Sequence, residues 1–258
     1  MSTHEPAERA RDLPLGVNCD LGESYGRFRV GDDAAVMPYI KTANIACGYH
    51  GGDPSVMRQA AELAAEHGVM CGGHPSLPDL QGFGRREMDI TAGELKDMVL
   101  YQLGALKQIL SAVGVRLTHV KPHGVLYSML WREELAEAFA DAIELVDPAL
   151  PWIAMEHTPT FDVALRRGLR PVSEFTADRS YDASGRLIIV RSAEPVEIEP
   201  MLRRVAEVLE EQAVTTADGS RLPMSARVIC MHGDGPNAPE VARALHGLLE
   251  RRASVLGG

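Results

Sequence analysis

Four histidines in this chain sit among glycines, prolines or carboxylates, each just after a short apolar run. They are His50 in NIACGYHGGD (44–53), His74 in GGHP (72–75), His123 in HVKPHG (119–124) and His232 in CMHGD (230–234). A fifth segment, VNCDLGE (17–23), has the same layout with Asp20 and Glu23 in place of a histidine. Histidine and carboxylate are the residues that move protons near neutral pH, activate water or ligate a metal. One such residue after a strand means little. Five segments of this kind predict a convergent polar site of the sort α/β barrels build at the C-terminal ends of their strands.

Strand alternation sharpens the expectation. Asn18 and Asp20 share a face, as do His119, Lys121 and His123. An inward Lys121 needs a carboxylate or an anionic ligand, with Asp20, Glu174 and Asp234 as the candidates. His50 lies among Gly48, Gly51 and Gly52, which permit close ligand approach. Asp53 reads both as a helix N-cap and as a site residue. The paired Arg85 and Arg86, in the loop GFGRR (82–86), suit a carboxylate or phosphate. Glu174, Asp178, Arg179, His232 and Asp234 complete the set on the later strands. His119 reads as a satisfied core histidine, and His4, His67 and His246 as structural.

The elements that must position these residues alternate. Strands are expected at 15–20, 42–46, 69–71, 116–121, 152–155, 171–175 and 227–231. Helices are expected from Pro54 to a stop at Gly68, from the capping box Thr91/Glu94 to Val113, and at 133–145, 158–167, 197–212 and 239–252. Residues 179–190 read as a hairpin excursion turning at Asp182–Gly185. About seven strand–helix repeats predict a parallel sheet covered by helices. The absence of G-x-G-x-x-G after the first strand favours a barrel over an open doubly wound sheet. We expect a flexible N-terminal tail at 1–14 and one α/β barrel domain over 15–258.

Bulk composition limits the function. A net charge of −10 over 258 residues argues against a nucleic-acid partner. No apolar run approaches a membrane span, and no secretory signal opens the sequence. The four cysteines have no metal-ligand spacing and read as buried thiols of a cytoplasmic protein. H-E-x-x-H, G-x-S-x-G and Walker A motifs are absent. The residues alone reach a hydrolase or lyase with a His/Asp site, open to metal assistance.

Taken together, NCDLGES (18–24), ANIACGYHGGDP (43–54), GHPS (73–76), GFGRR (82–86), HVKPHG (119–124), ADRSY (177–181) and HGD (232–234) resemble the LamB/YcsF family, from about Leu15 to the last helix. The resemblance implies a (β/α)7-type barrel similar to the glycoside hydrolase and deacetylase superfamily. It also implies the A component of an ATP-dependent 5-oxoprolinase, a hydrolase that opens a cyclic amide, with ATP as co-substrate of the complex and 5-oxoprolinase subunits B and C as partners. On that reading Asp20, Glu23, His50, His74, His123 and Asp234 are catalytic. Asn44, Asp53, Arg85, Arg86, Lys121, Glu174, Arg179 and His232 bind substrate. A divalent metal, if one is used, falls to Asp20, His50 and His123. The competing readings are a stand-alone metal-dependent amidase or deacetylase, and a non-catalytic binding component of a larger complex.

Overall fold

The computed structural model describes residues 13–188, 190 and 194–256. In chain order its elements are β1 (Gly16–Leu21), α1 (Asp33–Val36), β2 (Thr42–Ala46), α2 (Pro54–His67), β3 (Met70–His74), α3 (Ala92–Ala112), β4 (Leu117–Val120), α4 (Val125–Met129) and α5 (Glu133–Val146). They continue with β5 (Pro151–Ala154), α6 (Pro159–Arg166), β6 (Arg170–Thr176), α7 (Ile198–Glu211), β7 (Ala213–Thr215), β8 (Arg221–Pro223), β9 (Val228–His232) and α8 (Ala238–Leu256). Seven parallel strands close into a barrel in the order β1-β2-β3-β4-β5-β6-β9. The expected seven-stranded α/β barrel is the observed one.

Local chemistry accounts for the helix limits. Asp53 accepts hydrogen bonds from the backbone of Ser55 and Val56, Pro54 opens α2, and Gly68 closes it with φ +67°. Thr91 and Glu94 form the capping box of α3. The apolar faces of α3 and α5 cover the barrel wall, where Phe139 stacks on Trp152 with ring centroids 4.9 Å apart. At the N-terminal end of the barrel, Leu13 packs with Ile153 and Val228. Of the expected tail at 1–14, Leu13 belongs to the core, and residues 1–12, with His4, lie outside the described residues.

Four of the short elements are not expected from the sequence, among them the single-turn helix α1 (Asp33–Val36). Between β6 and β9 the chain adds the antiparallel pair β7–β8, whose strands are too short to show a period. The single-turn helix α4 begins directly after Gly124. The excursion at 179–190 does turn at Asp182–Gly185, with a lone bridge between Tyr181 and Leu187.

Candidate active site

Register fixes the floor of the site. Asp20 on β1 lies opposite Asn44 on β2 and His232 on β9, while Gly72 on β3 lies opposite His119 on β4. His119 is fully buried and crosses the barrel, its Nε2 2.9 Å from Asn44 Oδ1. A β-carbon on Gly72 would collide with the His119 ring, so only glycine leaves this path open. Asn44 Nδ2 then donates to Asn18 Oδ1 at 2.6 Å and to Asp20 Oδ1 at 2.7 Å. Asn44, expected to bind substrate, instead lies beneath the cleft with its amide spent on holding Asp20.

Above that floor, the backbone beyond β4 keeps following β3. Lys121 N donates to Gly73 O and His123 N to Pro75 O, which carries Lys121 and His123 into the barrel mouth. Lys121 Nζ lies 2.9 Å from Asp20 Oδ1, 3.7 Å from Glu174 Oε2 and 3.1 Å from Cys230 Sγ. Asp234, the third candidate partner, is paired elsewhere. Burial opposes both charges of the Lys121–Asp20 pair. Asp20, Cys230 and Glu174 nevertheless hold Lys121 above its ordinary range, and His74 and Lys121 hold Asp20 below the usual carboxylate range.

Beside this pair, Glu23, His50, His74 and His123 bring four ligand atoms within 4.8 Å of one another, all buried. His50 Nε2 is 3.1 Å and His123 Nδ1 3.2 Å from Glu23 Oε1, and the His50 and His123 rings stack 3.7 Å apart. Tautomers are dictated by the backbone. His74 Nδ1 must donate to Lys121 O at 2.8 Å, and His123 Nε2 must donate to Phe83 O at 2.8 Å. The remaining nitrogens, His74 Nε2 and His123 Nδ1, then face each other at 3.0 Å with no hydrogen between neutral rings. A cation, either a proton or a metal ion, resolves that contact. Burial keeps the His50 and His123 imidazoles below their usual range and therefore neutral, the form that ligates, and it raises the Glu23 carboxyl, with Asp20 adding to the effect. Three imidazoles and one carboxylate, two of the imidazoles oriented by carbonyls, can hold a divalent metal ion. The set differs from the expected Asp20, His50 and His123: Glu23 and His74 belong to it, while Asp20 is committed to Asn44 and Lys121.

The cleft over Asp20 has Lys121, His123, Tyr127 and Glu174 in its wall and Arg85, Arg179 and His232 around it. Asp234 bridges the two guanidiniums, 2.6 Å from Arg85 and 3.3 Å from Arg179, so it belongs to the rim rather than to the histidine group. His232 Nδ1 is 3.0 Å from Asp178 Oδ1, and its Nε2 is 3.6 Å from Asp20 Oδ2. Burial would raise the Asp178 carboxyl, but His232 and Arg179 hold it below its usual value. Such a carboxylate fixes the Nδ1–H tautomer and leaves Nε2 as a proton acceptor facing the cleft.

Besides Asn44, two more expected site residues are not brought to the cleft. Arg86 is held by Asp79 and stays about half exposed, where its carboxylate partner is seven residues away in its own loop. Asp53 spends its oxygens on its helix cap and on Gly26 N at 2.7 Å. The sequence reading leaves out Tyr127, whose one signal is an aromatic hydroxyl following the Pro-His-Gly turn. Cys230 is the buried thiol expected, and its Sγ also lies 3.1 Å from the Lys121 ammonium.

The LamB/YcsF family model matches residues 15–256. The chain belongs to the LamB/YcsF family. This LamB/YcsF chain is 45% identical over 246 residues to the A component of 5-oxoprolinase from Bordetella parapertussis, covering 94% of this chain and 97% of that one. It is 44% identical to the corresponding 5-oxoprolinase component of Mycobacterium avium, over 93% of this chain and 96% of that one. The crystal structure of a lactam utilization protein from Thermus thermophilus superposes with a TM-score of 0.84 at 41% identity, covering 93% and 98% of the two chains. No helix among the described residues is long and apolar enough to cross a membrane.

Proposed function

We propose that this chain is the A component of a cytoplasmic, ATP-dependent 5-oxoprolinase, which opens the lactam of 5-oxo-L-proline to L-glutamate together with subunits B and C. The observation that carries the reading is the cleft. It sets a buried acid–base group beside a pair of guanidiniums, in a chain related over nearly its whole length to proteins named as 5-oxoprolinase components.

A five-membered lactam carries a resonance-stabilised amide, and water attacks its carbonyl carbon slowly. Transfer of the ATP γ-phosphoryl group to the amide oxygen removes that resonance. Water then adds to the ring carbon, the C–N bond breaks with its electrons on nitrogen, and the resulting acyl phosphate is hydrolysed by a second water. The sequence carries no Walker A phosphate-binding loop, so nucleotide handling falls to the partners. The residues of this chain bind and move protons. Arg85 and Arg179 take the substrate carboxylate in bidentate fashion, exchanging it for Asp234. His232, oriented by Asp178, accepts the proton of the attacking water at Nε2. The Lys121 ammonium, held by Asp20, faces the oxygen on which negative charge develops. A divalent ion held by Glu23, His50, His74 and His123 would supply Lewis-acid polarisation.

The experiment is a glutamate-release and ATPase assay on the purified chain, alone and with partner subunits added. Turnover only in the presence of partners is expected. Robust ATP-independent turnover by the chain alone favours a stand-alone metal-dependent amidase, the reading to which the Glu23–His50–His74–His123 group lends weight. Assembled activity that survives loss of both His232 and His123 leaves only a binding role.

A further inference from the structure

Among the described residues, Glu174 is a cleft carboxylate whose geometry the steps above do not use. It lies near the C-terminal end of β6, is 1% exposed, and lines the cleft. Its Oε2 is buried without a hydrogen-bond partner. Lys121 Nζ is 3.7 Å away and already bonded to both oxygens of Asp20. Tyr127 stands beside this carboxylate, its phenol held well above its ordinary range by burial, by the Glu174 charge and by a side-chain hydrogen bond to Glu174, and Oε2 is the oxygen left without a partner. A buried acceptor left open costs free energy, and such a group persists where a ligand donor completes it.

The neighbours specify the donor. A second cation is not needed, because Lys121 already faces Glu174. A ligand carboxylate or phosphate would be repelled, and the rim guanidiniums attract it elsewhere. A neutral N–H satisfies Oε2 without adding charge. We infer that Glu174 accepts the ring N–H of the substrate and makes the site selective for cyclic secondary amides, rejecting rings that lack that hydrogen. The inference rests on the lactam reading above and adds the discriminating contact. A site built around a substrate N–H discriminates strongly against analogues without one, because its own polar atom is then left unpaired.

The test compares two ligands on the assembled enzyme without ATP, by calorimetry. One is 5-oxo-L-proline and the other is the cyclopentanone carboxylate in which methylene replaces the ring nitrogen. The wild-type enzyme is expected to prefer the lactam by roughly 100-fold or more. Glu174→Met should bring that ratio close to one by weakening lactam binding while leaving the carbocycle unchanged. Glu174→Gln, which keeps an acceptor oxygen, should retain part of the preference and checks that the site is still folded. A wild-type ratio near one, or a ratio that Glu174→Met leaves intact, overturns the inference while the lactam reading stands. Assembled wild-type enzyme that neither binds 5-oxo-L-proline nor releases glutamate overturns the lactam reading, and the inference with it.

Discussion

Lys121 Nζ sits 2.9 Å from Oδ1 and 3.1 Å from Oδ2 of Asp20, a buried ion pair joining β1 to the chain just beyond β4. Lys121→Met keeps the apolar stem and leaves Asp20 with Asn44, His74 and His232. Breaking a buried pair from one side is costly, so a fall in unfolding free energy of about 3 kcal/mol is expected in denaturant titration. Wild-type stability in the variant would mean that His74 neutralises Asp20 unaided.

Catalysis should respond most sharply at the Asp178–His232 pair. His232→Ala, and Asp178→Asn through loss of the tautomer-fixing carboxylate, should each lower turnover by the assembled enzyme by about 100-fold or more. Thermal melting should change little, since His232 faces the cleft. Near wild-type rates in both variants would take the general base elsewhere.

Metal content can be read directly. Purified chain loaded with a divalent cation should retain about one equivalent by elemental analysis. Its melting temperature should rise with added zinc, by linkage of binding to folding. His74→Ala should lose both effects, and Asp20→Asn should keep the metal while losing activity. Equal metal content in wild type and His74→Ala would place the ion outside this group.

Asp33 gives a pH signature for the fold. Burial raises its carboxyl to about 6, although the Gly22 N–H bonded to it pulls the other way. The folded state thus holds this proton more tightly than the unfolded chain. That contribution is complete below the unfolded value of 3.8 and is lost as pH rises through about 6. Asp33→Asn keeps an acceptor for Gly22 and removes the titration. The variant should match wild type near pH 4 and exceed it above pH 6 by on the order of 2–3 kcal/mol. A gap that does not change with pH would dispose of this account.

At the rim, Arg85→Leu should raise KM for the lactam about tenfold or more with a smaller effect on kcat, as loss of a charged hydrogen bond to a carboxylate does. A change confined to kcat would assign Arg85 to the chemistry instead.

What can be read from the sequence is whatever depends on neighbouring residues. Alternation along β1 and β4 places Asp20, His119 and Lys121 on the inner face, and the need of a buried lysine for an anion singles out Asp20 and Glu174. Cross-barrel geometry is not legible. Asp20 and Lys121 are 101 positions apart, and the Glu23 contacts to His50 and His123 exist only once loops from three strands meet. Arg85 and Arg86 are equivalent as letters, yet Arg85 reaches Asp234 on another strand's loop while Arg86 is taken by Asp79 nearby. Asp53 illustrates the reverse limit, since a good cap needs no further role.

The closing seam between β1 and β9, where Asp20 stands opposite His232, has a consequence during synthesis. All the strands from β1 to β6 leave the ribosome before β9 exists, so each nascent molecule passes through a stage with two open edges, one on β1 and one on β6. Unpaired parallel edges recruit other strands. Production of the active protein should therefore depend on chaperone capacity more than the stability of the finished barrel would suggest, and substitutions in β9 should lower yield before they lower activity.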